Sequence, residues 1–155
     1  MGIKHNCFCA GVALATLLLA LPLSNTFLSA NADDTPLVAA ARVLDTATVQ
    51  ALIADGMDVN QTQPDGATAL HWASYRDDAE LAIILLAAGA DVNAINDLGA
   101  TPLWLAADNG SAPMVERLLE RGANPNIALL VGETPLMTAS RTGNTDAVRL
   151  LIEHG

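Results

Sequence analysis

Apolar residues recur along the chain at the spacing of short amphipathic helices. Residues 115–119 (VERLL) place Val and two Leu at positions i, i+3 and i+4, and residues 148–152 (VRLLI) repeat this arrangement one step of 33 residues later. Such steps put side chains on one face of a helix, so each segment predicts a buried apolar stripe. The chain is therefore predicted to be all-α, built from short helices that pack by these stripes.

The 33-residue step governs most of the sequence. Four related phrases, TPLVAAA, TALHWAS, TPLWLAA and TPLMTAS, begin at Thr35, Thr68, Thr101 and Thr134. A Thr before a Pro predicts a helix N-cap followed by the first helical turn. Other positions keep the same step: Gly56, Gly89, Gly122 and Gly155; Asn60, Asn93 and Asn126; and the small residues Ala73, Ala106 and Ala139. These glycines predict left-handed helix ends, and these alanines predict the close approach of helices from neighbouring units.

The repeated unit resembles the ankyrin repeat. The resemblance is carried by the segment 99–126, GATPLWLAADNGSAPMVERLLERGANPN, together with the TPLH-like phrases and the 33-residue period, and it covers residues 33–155. It implies a solenoid of about four antiparallel helix pairs, joined by loops with β-turns. It also implies that function lies on the loop tips and the inner helices, which together line a concave surface.

The four copies divide the chain into predicted repeats at 33–64, 65–97, 98–130 and 131–155. The first copy is the most divergent, with Val38 at the position of His71 and with Leu44 where a Gly is expected between the helices; Asp77 takes that Gly position in the second copy. A terminal repeat with one face in water is expected to diverge, so we interpret 33–64 as an N-terminal cap. The fourth copy stops at Gly155 without a polar terminal repeat, which favours a fragment of a longer array.

Residues 1–32 have the composition of a secretory signal peptide. Lys4 and His5 precede the uncharged apolar run CFCAGVALATLLLALPL, and Ala30-Asn31-Ala32 supplies a small-residue cleavage site before Asp33. An uncleaved membrane anchor is the alternative, although the run is shorter than the roughly 20 apolar residues of a typical span. We therefore expect an exported bacterial protein, periplasmic or secreted, with no membrane association after cleavage.

Cleavage at this site changes the charge and the cysteine count. Cys7 and Cys9 leave with the signal, so no disulfide is expected in the mature chain. Loss of Lys4 takes the basic residues from 7 to 6 against 17 acidic ones, a net charge of 6 minus 17, or −11. This excess opposes nucleic-acid binding and favours a partner with a basic surface; a role in solubility alone is the alternative.

Motifs of catalysis and cofactor binding are missing from the sequence. It contains no glycine-rich phosphate loop, no HExxH and no GxSxG. The mature chain has two His residues: His154 is penultimate, and the resemblance implies that His71 is structural, its ring bonding the loops of adjacent repeats. The loop residues Asp58, Asp65, Asp91 and Asp97 are interpreted as turn and cap residues rather than as cation ligands. We expect no enzyme activity, no cofactor and no metal.

The candidate partner-binding residues lie where the copies differ while their framework stays fixed. They are Trp72, Tyr75, Arg76, Asp97, Leu98, Asp108, Asn109, Leu130, Val131 and Arg141. Trp, Tyr and Arg often anchor interfaces, which places Trp72, Tyr75, Arg76 and Arg141 first. Packing within the stack is the alternative for Trp72 and Trp104.

One loop is apolar where a polar loop is expected. The segment 127–131 reads IALLV, so it either forms a contact site or folds onto the next repeat. We predict a protein-protein interaction module that binds through its concave surface. The alternatives are the repeat portion of a larger exported enzyme, a periplasmic factor that shields a client protein, and a secreted effector directed at a host.

Overall fold

The computed structural model describes residues 35–155, and the predicted signal peptide lies outside them. Eight α-helices occupy the described part of the chain, which contains no strand: α1 Pro36–Arg42, α2 Thr46–Ala54, α3 Ala69–Tyr75, α4 Ala79–Ala87, α5 Pro102–Asp108, α6 Ala112–Glu120, α7 Pro135–Thr142 and α8 Thr145–His154. Each pair of helices falls inside one predicted repeat. The all-α solenoid predicted from the period is confirmed.

The helices form two rows. The odd-numbered helices α1, α3, α5 and α7 pack against one another in sequence, and each also packs against the even-numbered helix that follows it. Among the even-numbered helices, α6 and α8 pack closely, whereas the others are in weaker contact. The odd-numbered row is thus the more tightly packed side of the stack; its helices are called the inner helices below, and the even-numbered helices are called the outer helices.

At the N-terminus of most helices a polar side chain accepts a hydrogen bond from the first turn. The Oγ1 atoms of Thr101 and Thr134 accept hydrogen bonds from the backbone N–H groups of Trp104 and Met137, at 3.1 Å and 3.3 Å. These bonds satisfy donors that the first helical turn leaves unpaired. Thr35 forms no such side-chain bond. The cap predicted from Thr-Pro is therefore confirmed in the third and fourth copies.

Backbone conformation at the helix ends follows the repeat even where the residue does not. Leu44 and Asp77 adopt φ values of 59° and 55°, in the left-handed region where the third and fourth copies have Gly110 and Gly143. A side chain in this region costs about 1–2 kcal/mol, because Cβ approaches the following carbonyl oxygen. The stack therefore imposes the turn on the two copies that lack the glycine.

The core consists of aliphatic residues between the rows. The three repeated alanines are fully buried, as predicted, and so are Val115 and Leu118, while Leu119 is nearly so. In the fourth copy Leu151 is buried, but Ile152 is 61% exposed. The prediction of a buried Ile152 was therefore wrong, because Ile152 lies on the side of α8 that no described helix covers.

Candidate functional site

The loop tips that precede the inner helices are joined directly to one another. The backbone N–H of Asp97 donates to the carbonyl oxygen of Asp65 at 2.8 Å, and the N–H of Leu130 donates to the carbonyl oxygen of Leu98 at 3.1 Å. At Gly99, with φ +81°, an added Cβ would lie 2.8 Å from the Leu130 nitrogen. A side chain has no room between these tips, so the tips of three repeats form one continuous row.

A pocket of about 400 Å³ opens between this row and the inner helices. Trp72 and Tyr75 line it with their rings edge to face, 5.8 Å apart at an interplanar angle of 85°. Gln63 fixes the indole by accepting a hydrogen bond from Trp72 Nε1 at 2.9 Å. The Arg76 guanidinium lies 5.8 Å from the centre of the Tyr75 ring. Three of the predicted residues, Trp72, Tyr75 and Arg76, therefore meet at one concavity.

Three large apolar side chains project from the same row of loop tips. Leu98 is 69% exposed, Leu130 is 80% exposed and Val131 is 84% exposed; these three side chains are called the apolar tip below. Ile127 and Leu129 are half-buried. The apolar loop thus divides into residues that fold inward and residues that face outward. Side chains of this size rarely face outward together unless they contact something.

Other predicted partner-binding residues bond to neighbouring repeats. Arg141 forms an ion pair with Asp108 at 3.0 Å and a longer one with Glu133 at 3.5 Å. The Asn109 amide donates to the carbonyl oxygens of Ser74 and Tyr75, both at 2.8 Å. Asp108, Asn109 and Arg141 therefore join adjacent repeats.

The comparison with protein families agrees with this architecture. The family profile described as ankyrin repeats (3 copies) matches residues 5–96 and 77–155. The chain belongs to the ankyrin repeat family. Ankyrin repeats are generally protein-protein interaction modules, and domains built from them are typically non-catalytic. No curated protein matches the chain.

His71 ties the second ankyrin repeat to the third. The ring is 2% exposed; its Nε2 lies 3.0 Å from the carbonyl oxygen of Ala100, which can only accept, so Nε2 carries the proton. Nδ1 then accepts from the backbone N–H and from Oγ1 of Thr68, at 3.1 Å and 2.9 Å. Burial lowers the pKa of His71, against the opposing effect of the Ala100 hydrogen bond. The neutral ring is therefore a structural link between repeats, as the family resemblance implied.

A second link between ankyrin repeats was missed by the sequence analysis. Asn60 Oδ1 accepts from the backbone N–H of Asp91 at 2.7 Å, and its Nδ2 donates to the carbonyl oxygen of Gly89 at 3.2 Å. Asn93 makes the equivalent pair of bonds to Asn124 and Gly122, at 2.8 Å and 3.2 Å. The 33-residue recurrence of this Asn was the available signal.

Three of the four acidic loop residues have the local role predicted for them, whereas the Asp97 carboxylate accepts no turn or cap hydrogen bond within residues 35–155. Asp58, Asp65 and Asp91 each accept a hydrogen bond from the backbone N–H two residues later, at 2.9, 3.0 and 2.9 Å. Within residues 35–155 no group of three or more His, Cys, Asp or Glu is arranged to hold a metal ion. None of the helices in that range is long and apolar enough to cross a membrane.

Proposed function

We propose that this ankyrin array binds a partner protein through the face formed by the inner helices and the joined loop tips. The observation that carries the proposal is the apolar tip, in which Leu98, Leu130 and Val131 are each more than two-thirds exposed on backbone held by hydrogen bonds. A rigid scaffold beneath exposed apolar side chains lowers the conformational entropy lost on binding. Trp72 and Tyr75, which line the pocket together with tip residues, belong to the residue types that most often dominate binding energy.

The partner is proposed to offer a basic surface around an apolar centre. The full chain carries 17 acidic and 7 basic residues, a formal net charge of −10. Long-range attraction between this negative charge and a basic partner speeds association and is screened by salt over about 8–10 Å, whereas close apolar contact slows dissociation. The two contributions are therefore separable by kinetics.

The experiment compares the chain with two variants in affinity capture and then in binding kinetics. Leu130→Glu places a charge in the apolar tip, and Ile83→Glu makes the same change at an exposed position of the outer helix α4. A specific partner should be retained by the unmodified chain and by Ile83→Glu, and should dissociate at least about tenfold faster from Leu130→Glu, the loss typical of a hot-spot residue. Equal retention by all three would reject this face as the interface.

We also propose that the protein is exported, with residues 1–32 removed. The support is the sequence alone: a basic start, an apolar run and the site Ala30-Asn31-Ala32. Expression with the native N-terminus, followed by intact-mass measurement of the exported fraction, should find a chain that begins at Asp33. An exported species that retains residues 1–32 would contradict the proposal.

A further inference from the structure

The pocket between the second and third repeats has a lining that suits one particular side chain. We propose that it receives an arginine side chain of the partner protein, stacked beside Trp72 and paired with the carboxylate of Asp65. The inference rests on the proposed function, because it names the group that the partner brings to the same face.

Asp65 is the pocket's fixed charge. Its Oδ1 accepts the Ala67 N–H at 3.0 Å, which orients the carboxylate, while Oδ2 forms no hydrogen bond or ion pair within residues 35–155. The neighbouring tip adds Asp97, whose N–H is bonded to the Asp65 carbonyl oxygen at 2.8 Å and whose own carboxylate is exposed. The exposed carboxylate of Asp65 thus lines an aromatic pocket and that of Asp97 lies on the tip joined to it, so a cation in the pocket gains from both charge and ring contact.

Among the described residues, Arg76 is the one cation that lines the pocket, and its side chain is less constrained than that of Asp65. It forms no ion pair with any residue of 35–155, lies over the Tyr75 ring and is exposed. A long exposed side chain can move aside at small cost, whereas a short carboxylate held by a turn cannot. An acidic occupant would meet Arg76 but also Asp65, Asp97 and a chain of net charge −10. Charge complementarity thus favours a basic occupant.

Guanidinium fits this lining better than ammonium does. Its plane can stack on an aromatic face while its N–H groups reach a carboxylate, and it loses less hydration than an ammonium. A volume of about 400 Å³ is ample for one side chain. The pocket is therefore assigned to arginine.

The chain provides its own spectroscopic reporter, since it has two Trp residues and hence two indole N–H signals. Trp72 lines the pocket, whereas Trp104 does not line it and its Nε1 is buried. Nitrogen-15 NMR titration with N-acetyl-arginine amide should shift the Trp72 signal and leave that of Trp104 in place. A molecule of this size should bind with a dissociation constant on the order of millimolar.

Three variants test whether the pocket prefers a positively charged occupant. Asp65→Asn keeps the acceptor for Ala67 and should weaken binding of the probe by about threefold, while Arg76→Gln should strengthen it, because a competing cation is removed. Asp58→Asn is the matched control: it makes the same charge change at the same kind of turn bond, outside the pocket, and should leave binding unchanged. The Trp104 signal verifies the fold of each variant.

The opposite pattern would overturn the assignment. N-acetyl-glutamate amide should not shift the Trp72 signal, and N-acetyl-lysine amide should bind more weakly than the arginine probe; a shift with the former or equal binding of the latter would reject guanidinium. If no probe affects Trp72 while a captured partner still responds to Leu130→Glu, this inference fails and the proposed function stands. If the arginine probe binds but Leu130→Glu changes nothing, the pocket assignment stands and the apolar tip does not.

Discussion

The link through His71 should be a major determinant of stability at the interface of the second and third repeats. Replacing His71 with Leu retains a side chain of similar volume but removes every hydrogen bond that the ring makes. The Thr68 N–H, which is buried, then has no partner, and the Ala100 carbonyl oxygen keeps only its 3.1 Å bond from the Asn96 N–H. The change therefore leaves the Thr68 N–H and the Thr68 hydroxyl without their partner, and leaves the Ala100 carbonyl oxygen with one bond fewer.

The expected cost is set by the two backbone groups, the Thr68 N–H and the Ala100 carbonyl oxygen, because a hydroxyl can rotate toward another acceptor and a backbone group cannot. An unsatisfied buried donor costs about 1–3 kcal/mol, and a carbonyl oxygen that retains one bond falls at the low end of that range. The free energy of unfolding should therefore fall by about 2–4 kcal/mol. Natural domains have only about 5–15 kcal/mol in total, so the loss is easily measured.

Urea unfolding followed by circular dichroism at pH 8 is the assay, with Met137→Leu as the control. Met137 occupies the same helical position in the fourth repeat, but its side chain is 58% exposed and forms no hydrogen bond. Its replacement should change the free energy of unfolding by no more than about 0.5 kcal/mol. If His71→Leu also lies within about 1 kcal/mol of the unmodified chain at an unchanged m value, the hydrogen-bond argument is wrong.

The same residue predicts a dependence of stability on pH. The pKa of His71 is lowered in the folded state, chiefly by burial, so the unfolded state binds the proton more readily. Its contribution should therefore be complete above the unfolded pKa of about 6.5 and should decline as the pH falls below it, toward the folded pKa. The decline between pH 7 and pH 5.5 should be smaller in His71→Leu. Identical slopes for the two proteins would show that another group is responsible.

Two further pairs of variants test the joins between repeats. Gly99→Ala should lower the free energy of unfolding in urea by about 2–4 kcal/mol, because it adds a clash with the Leu130 nitrogen to the strain of a positive φ. Gly132→Ala, at a similar φ of +82° but in open space, should lower it by only about 1–2 kcal/mol. Equal losses would contradict the close approach of the tips. Asn93→Ala should lower the free energy of unfolding by about 1 kcal/mol, because it removes two hydrogen bonds to the next repeat. The Asn126 side chain makes no such bonds, so Asn126→Ala should leave stability unchanged. The prediction fails if the two variants behave alike.

The framework of the fold could be predicted from the sequence because the same residue types recur at the same positions of each repeat. Buried alanines, capping threonines and helix-ending glycines recur every 33 residues, so four copies report on the same packing constraint. Even the exceptions were informative, since Leu44 and Asp77 adopt the backbone of the glycines that they replace. Ile152 shows the limit of this reasoning, because its position in the stripe is right but its burial depends on a neighbour that no described helix provides.

The candidate site was harder to predict, for two physical reasons. The loop tips are joined by backbone atoms, as between Asp65 and Asp97, and residues of any type can make such bonds, so the side chains at the bonded positions do not reveal them. Variation between copies is also ambiguous, because Asp108 and Arg141 vary from copy to copy and yet pair with each other across repeats. A position that is free to vary can serve a neighbouring repeat as well as a partner.

The pocket's dependence on the repeat interface connects stability with binding. Trp72 and Tyr75 come from the second repeat, whereas Leu105 comes from the third, and the His71 ring belongs to the same lining. In a stacked array each interface is stabilised mainly by its own contacts, so loss of the bond to Ala100 should loosen this interface before any other. The apolar tip spans the third and fourth repeats and does not depend on that bond. Protonation or replacement of His71 should therefore weaken binding of the arginine probe at the pocket while the contact made by Leu130 persists. The pocket and the apolar tip would then contribute independently to the binding of one partner.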